Sequence, residues 1–226
     1  MRTIVFSLGG SLIVPDEIDA LFLEKFAVFV KKLAKSYNII IVTGGGRTAR
    51  KYISAGEYER FQDAYLSLVG IESTRLNASF VAGFFDTFRF VPHSFAAVRA
   101  QLKKYRIVVC GALGFIADMT SDGDAALLAK EVHAELFVNL TDVDGLFTKD
   151  PKIPGAKLVE KIQWRAFLEI AHKVGFKPGQ HFVLDHKAAH MIGRYKIRTV
   201  IVNGHDLKNV EQCIAGKPFK GTLIYG

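Results

Sequence analysis

Short glycine-bearing stretches that follow apolar runs are the parts of this chain best suited to chemistry. Gly9-Gly10-Ser11 follows Ile4–Leu8, and Gly44-Gly45-Gly46 follows Ile39–Thr43 and runs directly into Arg47, Thr48 and Arg50. A third stretch, GALGFIADMTSD from Gly111 to Asp122, carries Gly114, Thr120 and Ser121 and opens a helical segment. Glycine lets backbone N–H groups come close to phosphate oxygens, and a helix N-terminus behind the loop adds partial positive charge. One such loop reads equally well as a tight turn. Three in one chain, one of them beside two arginines, point to an anion site. Neither GxxxxGK[ST] nor a GxGxxG after the first apolar run is present, which sets aside a P-loop NTPase and disfavours a classical dinucleotide-binding fold.

A fourth loop, Thr141-Asp142-Val143-Asp144-Gly145-Leu146-Phe147-Thr148-Lys149-Asp150-Pro151, follows the run from Leu136. Its carboxylates suit a metal–nucleotide complex or a ribose hydroxyl. They suit equally an Asx-rich turn in which Asp142 and Asp150 accept backbone N–H groups.

These loops need a scaffold. Continuous apolar runs at Ile4–Leu8, Ile39–Thr43, Ile107–Cys110, Leu136–Thr141 and Thr199–Asn203 read as strands buried on both faces. Phe88–Val91 and Thr222–Tyr225 are shorter candidates. Helical periodicity marks Asp19–Ser36, Tyr65–Phe85, Ser94–Lys104, Asp122–His133, Trp164–Val174, His186–Tyr195 and Leu207–Ala215. Strand–helix alternation predicts a three-layer α/β/α sandwich on a mostly parallel sheet, with ligands at the carboxyl ends of the strands. DPKIPG at Asp150–Gly155 reads as a turn, and residues 1–226 as one domain.

Composition narrows the setting. Half of the 226 residues are hydrophobic and 18 are Phe, enough for a substantial core, which excludes disorder and a disulfide mini-protein. Cys110 and Cys213 form no disulfide framework and no zinc motif, so a reduced, cytoplasmic protein is expected. No apolar run is long enough to span a bilayer, and the Gly-Gly-Ser and Asp16-Glu17 near the start argue against a signal peptide. A formal charge of +8 favours anionic partners. Nucleic acid is not expected, because that would need the basic residues grouped on one surface.

Taken in order, GGSLIVP (Gly9–Pro15), VTGGGRTARKYI (Val42–Ile53), GIESTRLNA (Gly70–Ala78), TSDGDAALLA (Thr120–Ala129), NLTDVDGLFTKDPK (Asn139–Lys152) and GTLI (Gly221–Ile224) resemble the amino acid kinase superfamily. Within it the resemblance is to uridylate (UMP) kinases of the shorter archaeal type, and it covers nearly the whole chain. It implies ATP-dependent phosphorylation of UMP to UDP with magnesium, usually in a hexamer. By position, Gly9, Gly10, Ser11, Gly45, Arg50, Thr141, Asp142, Phe147 and Asp150 would serve ATP. Gly44, Ser67, Gly114, Thr120 and Ser121 would serve UMP. Asp122 and Asp185 match acidic positions near the reaction centre, with Lys187 as a nearby cation. No protein-held metal site beyond the ATP-associated magnesium is implied.

The chain departs from the family on the acceptor side. Ser67 stands where the family has an aspartate that binds the nucleoside monophosphate, and the Gly111–Asp122 loop is one residue longer and lacks the family's proline. Ser7 replaces a lysine that bacterial members carry on the first strand. Two other readings therefore stay open: a family enzyme with a different small acceptor, and a non-catalytic nucleotide-binding or storage protein. His181, His186 and His190 crowd one segment without a recognised metal spacing, and zinc there is the minor reading. Phe80, Phe84, Phe85, Phe88 and Phe90 read as a core or oligomer face rather than a base-stacking surface.

Overall fold

The computed structural model describes residues 1–85, 90–114, 120–174 and 184–226. Among these, seven strands form one sheet: β1 (Thr3–Leu8), β2 (Asn38–Thr43), β3 (Ile107–Cys110), β4 (Leu136–Thr141), β5 (Lys161–Gln163), β6 (Thr199–Asn203) and β7 (Thr222–Tyr225). Their order is β3-β2-β1-β4-β6-β7-β5. The first five in that order run parallel, β7 is antiparallel to β6, and β5 is parallel to β7. The chain turns from one side of β1 to the other, so β1 and β4 flank a topological switch point. In such a sheet the crevice beyond their carboxyl ends is where ligands bind.

The helices are α1 (Gly10–Ile13), α2 (Ala20–Leu33), α3 (Gly46–Tyr58), α4 (Asp63–Ala82), α5 (Phe95–Leu102), α6 (Ser121–Glu131), α7 (Trp164–Val174), α8 (His186–Arg194) and α9 (Leu207–Ile214). Alternation along each parallel strand divides the core into two layers. Ile4, Phe6 and Leu8 of β1 face α2, α9 and the end of α4, while Val5, Ile40, Val42 and Phe137 face α5, α6, α7 and α8. Phe6 meets Phe26 edge-on at 6.1 Å, and each such buried ring contributes about 2–3 kcal/mol. The sandwich expected from the strand–helix alternation is the one observed.

Strand and helix positions agree with the sequence reading to within a few residues, with four differences. Helices α1 and α3 and strand β5 carry too little apolar periodicity to be read. In α3 the buried residues are two glycines, Gly46 and Gly56, and in β5 only Ile162 is buried. The candidate strand at Phe88–Val91 lies partly outside the described residues, and its described end, Phe90–Val91, is not paired into the sheet.

The loops after β1 and β2 meet backbone to backbone. Strand pairing sets Leu8 opposite Thr43, and the Gly44 amide continues the ladder by donating to Leu8 O at 2.9 Å. A Cβ added to Gly44 would stand 2.5 Å from Gly10 N, and one on Gly10 would overlap the Gly46 backbone. Gly46 itself turns through φ +62, and Arg47 N then donates to Val14 O at 3.1 Å. Gly10→Ala must push these loops apart. It should cost about 1–3 kcal/mol, as overpacking does, read as a lower urea midpoint with an unchanged slope; an unaltered midpoint would show that the loops have room.

Candidate active site

At the carboxyl ends of the strands lies a cavity of about 740 Å³, within the range of small-molecule sites. It collects residues from five parts of the chain: Gly45 and Gly46, Arg50 of α3, Ser67 of α4, Thr120 and Ser121 at the start of α6, and Asp185 with Lys187 at the start of α8. Seven of the residues singled out by resemblance (Gly45, Arg50, Ser67, Thr120, Ser121, Asp185 and Lys187) therefore share one space. Glu57, Asp63, Thr74, Ala112 and His186 line it too and were not singled out. Four of the lining residues, Ala49, Arg50, Ile53 and Glu57, recur at helical spacing along α3, the one signal in the sequence that could have placed Glu57 beside Arg50.

The two glycine loops use their amides unequally. Gly9 N donates to Leu140 O at 3.0 Å and Gly44 N to Leu8 O, so both are committed to the sheet. Among the described residues, the amides of Gly10, Ser11, Gly45 and Gly46 remain at the starts of α1 and α3, where orphan N–H groups are the rule. Gly45 and Gly46 line the large cavity, while Gly10 and Ser11 do not. The Gly44 carbonyl accepts from Asn77 Nδ2 at 2.7 Å, which ties the loop to α4.

The loop after β4 stands beside the first glycine loop through the Gly9–Leu140 bond. Thr141 Oγ1 donates to Asp142 Oδ1 at 3.2 Å, and Asp150 Oδ1 accepts from Lys152 N at 2.9 Å, the Asx turn that the sequence left open. Phe147 is half-buried and forms a bridge to Leu158. Asp144 is tied to Lys220 at 2.6 Å. Thr141, Asp142, Phe147 and Asp150 do not line the large cavity. Gly114 ends a described segment and does not line the cavity; residues 115–119 of that loop lie outside the described residues, as do His181 and Phe88.

Three carboxylates gather around the start of α6. Asp185 caps α8 by accepting from Ala188 N at 2.7 Å, and also accepts from Gly123 N at 3.1 Å and from the Thr120 hydroxyl. One carboxylate therefore closes two helix N-termini, where negative charge is favourable. Asp122 accepts from Ser7 Oγ at 2.5 Å. Burial first, and then the Asp185 carboxylate beside it, push the Asp122 carboxyl up to about 7 against the opposing bond from Ser7. Asp124, buried two positions further along α6, is pushed up to about 6, again chiefly by burial. Hard oxygens whose charges repel one another suit a magnesium ion, which takes one or two carboxylates and leaves its other positions to phosphate and water. Among the described residues no group of three or more His, Cys, Asp and Glu is arranged to hold a metal by itself, His186 and His190 included.

The fold and this crevice define a phosphate-handling α/β protein, and comparison with known proteins identifies its class. The amino acid kinase family profile matches residues 2–203, and the chain belongs to that family. It is 36% identical over 224 residues to the uridylate kinase of Thermococcus sibiricus and 37% identical over 226 residues to that of Pyrococcus abyssi, covering 98% of both chains in each case. Among solved structures it superimposes on the uridylate kinase of Archaeoglobus fulgidus with a TM-score of 0.86 at 31% identity, covering 99% of this chain and 100% of that one. The UMP kinase of Ureaplasma parvum, at 20% identity and a TM-score of 0.81, shares the fold.

The carboxylate cluster gives a pH dependence with a definite sign. Asp122 titrates near 3.8 when unfolded and about 7 when folded, so the folded state holds the proton more tightly. Its stabilising contribution is present at acid pH and is lost as the pH rises through about 7. The melting temperature of the ligand-free protein should therefore fall between pH 5 and pH 8. Asp122→Asn should flatten that fall by an amount worth at most about 3 kcal/mol. A wild-type profile that rises over this range would contradict the assignment.

Proposed function

We propose that the chain is a uridylate kinase, transferring the γ-phosphoryl group of ATP to UMP and releasing UDP and ADP. The observation that carries this reading is one cavity lined by the glycine-bearing start of α3, Arg50 and Lys187, in a chain whose full-length relatives bear that name. Phosphoryl transfer asks mainly for alignment and charge neutralisation. An oxygen of the UMP phosphate attacks Pγ while the bond from Pγ to the ADP oxygen breaks. The attacking oxygen is already ionised near neutral pH, so no general base is required.

The roles follow from position. Gly10, Ser11, Gly45 and Gly46 offer amides to the phosphates, and Gly9 gives the chain a close approach without a side chain. Arg50 stabilises charge on the equatorial oxygens in transit. Thr141, Asp142, Phe147 and Asp150 border the adenosine, across the crevice from the acceptor. Gly44, Ser67, Gly114, Thr120 and Ser121 belong to the acceptor side, with Lys187 as a cation near its phosphate. Magnesium, when bound with ATP, would supply positive charge to the phosphates. Asp122 and Asp185 are the residues that would hold it or its waters.

The protein works as one domain in the cytoplasm and as a homo-oligomer, a hexamer by resemblance. The outer face of α4 supports an oligomer: Tyr65, Leu68, Leu76 and Phe80 lie along it and are all exposed, an apolar stripe of the kind that marks an interface. No described helix is long and apolar enough to cross a membrane. A second reading, a different phosphorylated or carboxylated acceptor, is favoured by one observation. Ser67, at the family's aspartate position, lines the acceptor cavity.

ADP release that depends on both UMP and magnesium tests the first reading. A panel of other monophosphates and small acids tests the second, and turnover of one of these without UMP turnover would replace the first. Arg50→Ala should lower kcat about 10²–10³-fold with little change in melting temperature; an unchanged rate would remove Arg50 from the phosphates. Ser67→Asp should tighten UMP, and a UMP affinity that fails to rise would place Ser67 away from the acceptor.

A further inference from the structure

We propose that Asp124 is a positioning residue for the acceptor, acting through the backbone amide of Leu113. Asp124 is 4% exposed, and its Oδ2 accepts from Leu113 N at 3.0 Å. It has no salt bridge among the described residues, and Arg75 is the cation that acts on it electrostatically. A buried carboxylate is costly unless its hydrogen bonds define something. Here they define the path of the chain as it leaves β3.

That path is fixed at three successive residues. A Cβ on Gly111 would stand 2.7 Å from the Arg75 backbone, so the chain lies directly on α4. Ala112 is held at both ends, its N–H donating to Thr74 Oγ1 at 2.8 Å and its carbonyl accepting from Arg75 Nε at 3.2 Å. Leu113 is then held from the opposite side by Asp124 of α6. Thr74 is itself oriented within the core, since its carbonyl accepts from Thr43 Oγ1 at 2.8 Å. Thr74 and Ala112 line the large cavity, as do Thr120 and Ser121 at the start of the helix that carries Asp124. Asp124 does not line it. The carboxylate therefore locks the β3 exit, α4 and α6 into one wall of the acceptor space. None of the bonds to Ala112 and Leu113 that make this staple involves the loops after β1 and β4, so losing the Asp124 bond should act first on the acceptor wall.

This inference rests on the acceptor being bound in that cavity, and the experiment separates the two. In wild-type protein, hydrogen exchange at the Leu113 amide should be slow; rapid exchange would overturn the proposal without any variant. Asp124→Leu should raise the KM for UMP about tenfold or more, the size expected when a hydrogen bond to a charged group is lost, while the KM for ATP stays the same. Leu113 exchange should accelerate in parallel. Asp124→Asn retains an acceptor oxygen and should restore both quantities. Asp124→Ala serves the same purpose if the leucine variant does not fold. Equal rises in both KM values, or an Asn variant no better than Leu, would reduce Asp124 to a general structural residue and sink the idea. If wild-type protein turns over no UMP, the uridylate kinase reading fails while exchange at Leu113 in the three variants still decides the staple.

Discussion

The backbone-to-backbone contact between Gly10 and the Gly44–Gly46 turn is the constraint on which the rest of the site depends. Parallel pairing of β1 with β2 brings the two strand ends level, at Leu8 and Thr43. The loops leaving these two strands must then share a space with no room for a side chain on either of them. Because the loops touch, α1 and α3 begin side by side. A helix start offers about half a unit of positive charge. Arg50 lies one turn into α3 and lines the same cavity as Gly45 and Gly46.

Across the crevice the electrostatics run the other way. Asp122, Asp124 and Asp185 gather near the first turn of α6, and burial together with mutual repulsion raises the first two. Asp185 is the best satisfied, with three donors from two helices and a hydroxyl. It acts as a pin between α6 and α8. Asp122 has one short bond from the neutral Ser7. A carboxylate held this way destabilises the empty protein at neutral pH, and positive charge arriving with a nucleotide relieves it. Stability is given up locally at a place where a ligand restores it, as is common where function and folding compete.

Much of this was legible from residue types. The apolar runs located the parallel strands because strands buried on both faces show no alternation to confuse them. The glycine blocks located the loops, because a missing side chain is a visible requirement. The rest was hidden for physical reasons. Helix α3 packs through glycine and turns its other face to the cavity, so it shows no apolar stripe; Glu57 went unnoticed with it. Asp63, at the start of α4, gave no signal of the cavity either. Asp124 sits two residues from Asp122 and reads as one more acid in a polar stretch. Yet Asp122 reaches across to Ser7 of β1, while Asp124 turns to the exit of β3. Nor does the sequence show that the Gly9 and Gly44 amides are used up by the sheet, since that depends on register rather than on glycine itself.

The departures on the acceptor side look different once the walls are in place. Ser67 removes a carboxylate from the family's position, yet Glu57 and Asp63 line the same cavity from α3 and the first turn of α4. Negative charge suited to a sugar hydroxyl is thus redistributed around the cavity rather than missing from it. Two cations, Arg50 and Lys187, line the same cavity. The lengthened loop likewise leaves β3 under close control, because Thr74, Arg75 and Asp124 hold its first residues from two helices. A buried carboxylate and a threonine hydroxyl both accept from backbone amides of this segment, so the wall beside the cavity is held from two helices where the sequence departs from its family.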